Sequence, residues 1–282
     1  MIKKIKLFSL LVCLGLGATI TPLNVDAGQA GLMLFPTRFV LSPTEKTVTV
    51  NIVNKGDARG SYRIELIDMI MPEDAAIREL EDGQIDPYSL KKFARISPRR
   101  TELRPDGVQK VRINIRRPKG LPAGEYRSHV KVTLTEDDLD SVERARAKEN
   151  VSIQIKSRLA FTIPVIIRQG ETSYRVGIDD AELYYADEKK LASPMLNLLF
   201  SHEGTRSSMG DVKVYHVDSA GNRNVVNFHP GVAIYRTTDR RRIRVPLTLV
   251  DGVDLSSGKL HITYVEKANE GGKLIAEKML NL

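Results

Sequence analysis

Residues 151–167 read VSIQIKSRLAFTIPVII, and the odd-numbered positions Val151, Ile153, Ile155, Leu159, Phe161, Ile163, Val165 and Ile167 are apolar. Ser152, Gln154, Lys156, Arg158 and Thr162, with Arg168 beyond, fall on the other parity. Such alternation marks a β-strand with one face on a core, because successive side chains point to opposite faces. The stretch is about three times the usual strand length of ~5–6 residues. Pro164 offers no N–H to a ladder and therefore belongs on an edge. Proteins normally suppress long apolar edge strands, which leaves two readings. One is a core strand that runs on into a linker; the other is a strand meant to pair with, or be lent to, another chain.

The same period of two spreads outward from this stretch. Upstream lie Leu32–Leu41 (LMLFPTRFVL, interrupted by Pro36), Thr47–Asn54, Ser61–Asp68, Val108–Arg116 and Tyr126–Thr135. Asn54-Lys55-Gly56-Asp57 supplies a turn signal. After Arg168-Gln169-Gly170 the pattern restarts, with strands expected near 173–185, 195–201, 211–217, 231–235, 241–249, 259–266 and 273–280. Asp218–Asn222 and Asn269-Glu270-Gly271-Gly272 read as hairpin turns. Two charge-rich connections break the rhythm: 70–95, where a short helix is expected around Ile77 and Leu80, and 136–150 (EDDLDSVERARAKEN). Connections of such length tend to be functional or mobile. Short strands between Gly and Pro turns, without intervening helices, predict an all-β protein of two sandwiches that meet near Gln169.

Residues 1–27 read as a secretory signal peptide. Lys3, Lys4 and Lys6 form its basic start, Leu7–Ile20 its apolar segment, and Val25-Asp26-Ala27 its processing site. The apolar segment falls short of the ~20 residues that span a bilayer, and Val12 before Cys13 argues against lipid attachment. Cleavage would lower the net charge from +8 to +6 and remove the chain's one cysteine. A disulfide-free secreted protein of this kind suits the periplasm. The expected domains are 28–168 and 169–282.

Chemistry is sparse. The five histidines (His129, His202, His216, His229, His261) show neither HExxH nor paired metal-ligand spacing. There is no GxSxG or SxxK motif and no glycine loop between strand and helix. No enzyme and no cofactor are expected. The basic runs at 97–100, 116–117 and 240–242 lack interleaved aromatics, so they read as solvated strand ends rather than nucleic-acid contacts. No Trp is present, and aromatic residues make up 6% of the chain, a thin supply for a carbohydrate platform. One charge does stand out. Arg38 is the only charged residue between Gly31 and Leu41, and burying an unpaired guanidinium is strongly unfavourable. Its partner is either internal, such as Glu65 or Asp68, or a carboxylate brought by a ligand or another chain.

At these residues the sequence resembles the periplasmic pilus-assembly chaperones, the PapD-like family. The matching segments are FPTRFVL around Arg38, VTVNIVNKGD, ISPRRTELRPDGVQKVRINIRRP, LPAGEYRSHVKV and LAFTIPVIIRQG. In the second half, HEGTRSSMGDVKVY, RRRIRVPLTL and GGKLIAEKML match. The resemblance covers essentially all of the chain after residue 27. It implies two immunoglobulin-like β-sandwich domains at an angle, with a cleft that receives a pilus or fimbrial subunit. It also implies donor-strand complementation through Val151, Ile153, Ile155 and Leu159, and delivery to an outer-membrane usher. Arg38 would bind the subunit's C-terminal carboxylate. For the second basic anchor Lys156, Arg158 and Arg168 compete, with Arg158 favoured. Free chaperone could self-dimerise to hide its edge strand. The alternative is a secreted two-domain structural pilus or adhesin component. The four residues between the expected cleavage site and the first strand, too few for a donor extension, favour the chaperone.

Overall fold

The computed structural model describes residues 31–74, 76–135, 160–185, 193–248 and 253–282. The expected signal peptide, the 136–150 connection and Val151, Ile153, Ile155, Arg158 and Leu159 lie outside the described residues.

Two sheets form the first half. One has the order β1 (Leu32–Phe35), β3 (Thr47–Asn54), β9 (Val108–Ile115), β7 (Ala94–Ser97). The other has the order β2 (Phe39–Leu41), β11 (Ala160–Gln169), β10 (Gly124–Leu134), β4 (Gly60–Ile67), β8 (Arg100–Leu103). The single strand expected over 32–41 divides at Pro36: β1 pairs antiparallel with β3, whereas β2 pairs parallel with β11 in the opposite sheet. Proline, which cannot donate to a ladder, marks the crossing from one sheet to the other. Val50, Ile52, Ile64, Val111, Ile113, Val130, Val132, Val165 and Ile167 fill the space between the sheets. Each such side chain stabilises the fold by roughly 1.5–3 kcal/mol on burial.

Two further sheets form the second half, with the orders β12 (Tyr174–Tyr184), β13 (Met195–Gly204), β16 (Arg240–Pro246) and β15 (Arg223–Ile234), β14 (Ser208–Val217), β17 (Lys259–Glu266), β18 (Leu274–Asn281). They enclose a separate core around Leu196, Leu198, Phe200, Val212, Val214, Ile262 and Tyr264.

Three local expectations change. The helix expected around Ile77 and Leu80 is replaced by β6 (Arg78–Glu79), paired with β5 (Met69–Ile70). The short β7 and β8, on either side of Pro98-Arg99, have no apolar alternation long enough to predict them. β15 begins eight residues before the strand expected at 231, because 227–231 are mostly exposed and Phe228 is 52% exposed.

Candidate functional site

β11 carries the alternation that opened the sequence reading. Ile163, Val165 and Ile167 point into the first core and Phe161 packs against it. On one side β11 pairs with β10 over its whole length; on the other, β2 meets it only at Val165, Ile166 and Ile167. From Ala160 to Pro164 one edge of β11 is therefore open among the described residues, which is where Pro164 can be accommodated. Phe39 pairs with Val165, so Arg38 leaves the ladder where that open edge begins.

β10 is buried on both faces from Gly124 to Val130. Its inward side chains, Tyr126 and Val130, belong to the first core. The opposite face, with Glu125, Arg127 and His129, is covered by the second half. Arg127 lies over the Tyr235 ring at 3.3 Å from its centroid, and His129 Nε2 is 3.2 Å from the Tyr235 hydroxyl. Arg127 Nη1 donates to Ser207 Oγ (3.2 Å), whose hydroxyl donates to Glu125. Arg236 stacks on Tyr88 at 3.5 Å and donates to the Glu125 carbonyl at 3.1 Å. Gly124 is required at this corner: its φ is +144°, and a Cβ would collide with the Arg236 guanidinium. Burial pulls the Arg127 pKa down, with Tyr235, Glu125 and Asp86 opposing it. Burial beside Arg127 also lowers His129 to about 3, so that its imidazole is neutral throughout the physiological range.

Arg38 joins this junction from the first half. Its Nη2 donates to Glu270 Oε1 at 3.2 Å and its Nη1 meets the Met209 sulfur. Nε is buried and has no partner among the described residues. Glu270 ends a short 3-10 turn, Ala268–Glu270, between β17 and β18. Gly271, at φ +131°, reverses the chain immediately after it. Arg168 Nη2 reaches the other Glu270 oxygen at 3.2 Å, while Arg168 Nε reaches Glu125 at 3.4 Å. Arg206 stands 3.8 Å from Glu270 and 3.7 Å from Glu266. One carboxylate is thus shared by three guanidinium groups, two from the first half and one from the second. Burial pulls the Arg38 pKa down, and Glu270 is the main charge that opposes it. Tyr174 donates to Glu266 at 2.9 Å, and burial together with that carboxylate raises its pKa to about 12.

The internal partner of Arg38 is Glu270 rather than Glu65 or Asp68. Of the three candidates for a second anchor, Arg168 lies on the same carboxylate as Arg38; Lys156 and Arg158 lie outside the described residues. Arg240-Arg241-Arg242 is not simply a solvated strand end. Arg241 donates to the Pro72 carbonyl at 2.7 Å, and Arg242 pairs with Glu73 at 3.4 Å, adding a second fastening between the halves. Arg117 donates to the carbonyls of Ser42 (2.7 Å), Glu45 (3.0 Å) and Pro43. Among the described residues no group of three or more His, Cys, Asp or Glu could hold a metal ion, and no helix is long and apolar enough to cross a membrane.

No family model and no curated protein matches the sequence. Many solved structures do align with the chain, and most of those most similar to it are fimbrial or pilus chaperones. A chaperone–tip adhesin complex described as vital for synergistic activation of CFA/I fimbriae biogenesis aligns over 89% of this chain and 98% of its own, at 15% identity and a TM-score of 0.44. The Escherichia coli chaperone DraB aligns over 89% and 96%, at 14% identity and a TM-score of 0.41. The Pseudomonas aeruginosa CupB2 chaperone aligns over 89% and 100%, at 11% identity and a TM-score of 0.40. The two-sandwich all-β architecture rests on the sheets and cores above.

Proposed function

We propose that this protein is a non-enzymatic periplasmic chaperone that binds and caps pilus or fimbrial subunits and delivers them to an outer-membrane usher. The observation that supports this most is the position of Arg38. It is a partly buried guanidinium already engaged with a carboxylate, and it stands where the open edge of β11 begins. A subunit's C-terminal carboxylate could replace Glu270 on Arg38 with no change in the number of charges buried, so the exchange avoids the penalty of an unpaired ion. The open backbone of β11 offers a ladder to an incoming strand. Val151, Ile153, Ile155 and Leu159 would fill the subunit's apolar groove ahead of that edge, and Arg158 would be the second anchor.

The pairing with Glu270 also favours a second reading, in which Arg38 only fastens the two halves together. Purification of the tagged protein from the periplasm, followed by size exclusion and mass spectrometry, separates the two. A stoichiometric complex with a small β-rich subunit, lost in a folded Arg38→Ala variant, supports the chaperone. If Arg38→Ala is unfolded by circular dichroism, or the wild type elutes alone or as a self-polymer, the chaperone reading fails.

A further inference from the structure

Two strands of the first half, β4 in one sheet and β7 at the edge of the other, leave backbone groups unpaired on the same side of the sandwich. In β4, Ser61 accepts the Thr135 N–H across the β10 side at 2.8 Å, whereas Ile64 donates to Arg99 on the β8 side at 2.8 Å. Backbone groups of a strand alternate between its two neighbours, so Leu66, like Ile64, faces away from β10. The β4–β8 ladder ends at the pair Arg63–Arg100. Past it, Leu66 has no strand partner on that side among the described residues. β7 is the last strand of its sheet. Phe93 accepts from Arg116 toward β9, which leaves Ala94 and Ile96 facing outward. Among the described residues, the Ala94 carbonyl accepts from its neighbour's side chain, Arg95 Nη1, at 2.9 Å.

Beside these edges lies a groove of about 400 Å³ whose lining includes the buried Ile64, Ala94 and Ile96 and the four arginines Arg63, Arg95, Arg99 and Arg100. Among the described residues none of these four arginines has a carboxylate within ion-pair distance. Lys91 adds a fifth cation, 3.9 Å from Asp68, and Glu65 is the one acid in the lining. Elsewhere most of the arginines named above are paired with a carboxylate; here four stand together with no carboxylate partner among the described residues.

We propose that this groove docks an extended acidic segment of a partner protein by strand addition. Unpaired backbone groups call for a polypeptide, because a polyanion without peptide groups would leave them unsatisfied. A strand added to the β7 edge would set every second side chain beside Ala94 and Ile96, and the arginines would select carboxylates on the alternate positions. The inference stands apart from the subunit-capping reading and does not depend on it.

The probe is a capped synthetic peptide alternating glutamate and valine over about eight residues, a strand's length. Binding is followed by fluorescence anisotropy at two salt concentrations and by amide hydrogen exchange. The expected results are binding at least about tenfold tighter than that of the same peptide with lysine for glutamate, and slowed exchange at Ile96 on the β7 edge. The double variant Arg99→Glu/Arg100→Glu should lose that binding, whereas Lys110→Glu on the exposed side of β9 should keep it. Absence of binding, or binding indifferent to the double variant, overturns the proposal. So does equally tight binding of sodium polyphosphate without protection of the Ile96 amide, which would make the groove a general anion site.

Discussion

Arg38 Nη2 donates to Glu270 Oε1 at 3.2 Å, joining residues 232 positions apart across the two halves. The other Glu270 oxygen holds Arg168 at 3.2 Å, so the turn between β17 and β18 is tied to β11 and to the start of β2 together. Glu270→Gln keeps one acceptor and removes the charge that three partly buried guanidiniums share. Stability should fall by about 1–3 kcal/mol, measured by urea unfolding. In an Arg38→Met background the same substitution should cost less, with a coupling of about 1 kcal/mol. Additive losses would mean that the pair contributes nothing beyond its parts. On the chaperone reading, Glu270→Gln should also strengthen subunit capture, since the competing carboxylate is gone.

His129 makes the junction sensitive to acid. Its folded pKa of about 3, lowered by burial and by Arg127, lies below the unfolded value of ~6.5. Between those values the unfolded chain binds a proton that the folded chain excludes, so stability is full above pH ~6.5 and falls as the pH drops toward 3. The contribution is up to about 1.4 kcal/mol per pH unit. Unfolding free energies measured from pH 7 to pH 4 should show a steeper decline for the wild type than for His129→Gln. Parallel curves would place the acid sensitivity on other groups.

Tyr235 serves two partners with two parts of its side chain. The ring faces Arg127 and the hydroxyl lies beside His129. Tyr235→Phe should cost about 1 kcal/mol, the loss of one hydrogen bond at a His129 whose Nδ1 is already without a partner among the described residues. Tyr235→Ala should cost about 3–5 kcal/mol, because it also opens a cavity and strips Arg127 of its aromatic cover. Thermal or urea unfolding of the two variants tests the order, and equal losses would contradict it.

Period-two alternation made the strands with an inward apolar face readable. It failed where the strand is too short to show a period, as in the four-residue β7 and β8, or is largely exposed, as in the early part of β15. Arg38 was visible because a lone charge in an apolar strand is conspicuous. Glu270 was not, since Asn269-Glu270-Gly271-Gly272 has the composition of any solvated turn and its partner lies at the other end of the chain. Arg127 was equally hidden. Its strand is buried on both faces, and the face that carries Glu125, Arg127 and His129 looks solvent-directed until the second half covers it. Charged residues between two packed halves read locally as surface, and only tertiary placement tells them apart.

The stretch that opened the sequence reading offers the sharpest test of the donor assignment, because one parity holds residues of two expected kinds. Val165 is fully buried in the first core, so Val165→Asp places an unpaired carboxylate there and should lower stability by more than about 4 kcal/mol, enough to prevent folding. Ile153 has the same parity twelve residues earlier and is assigned to the partner's groove. Ile153→Asp should leave the unfolding free energy of the isolated protein within about 0.5 kcal/mol of wild type while weakening subunit capture about tenfold or more. If Ile153→Asp destabilises the isolated protein as Val165→Asp does, then Ile153 belongs to this protein's own core, and the stretch is a long internal strand rather than a donated one.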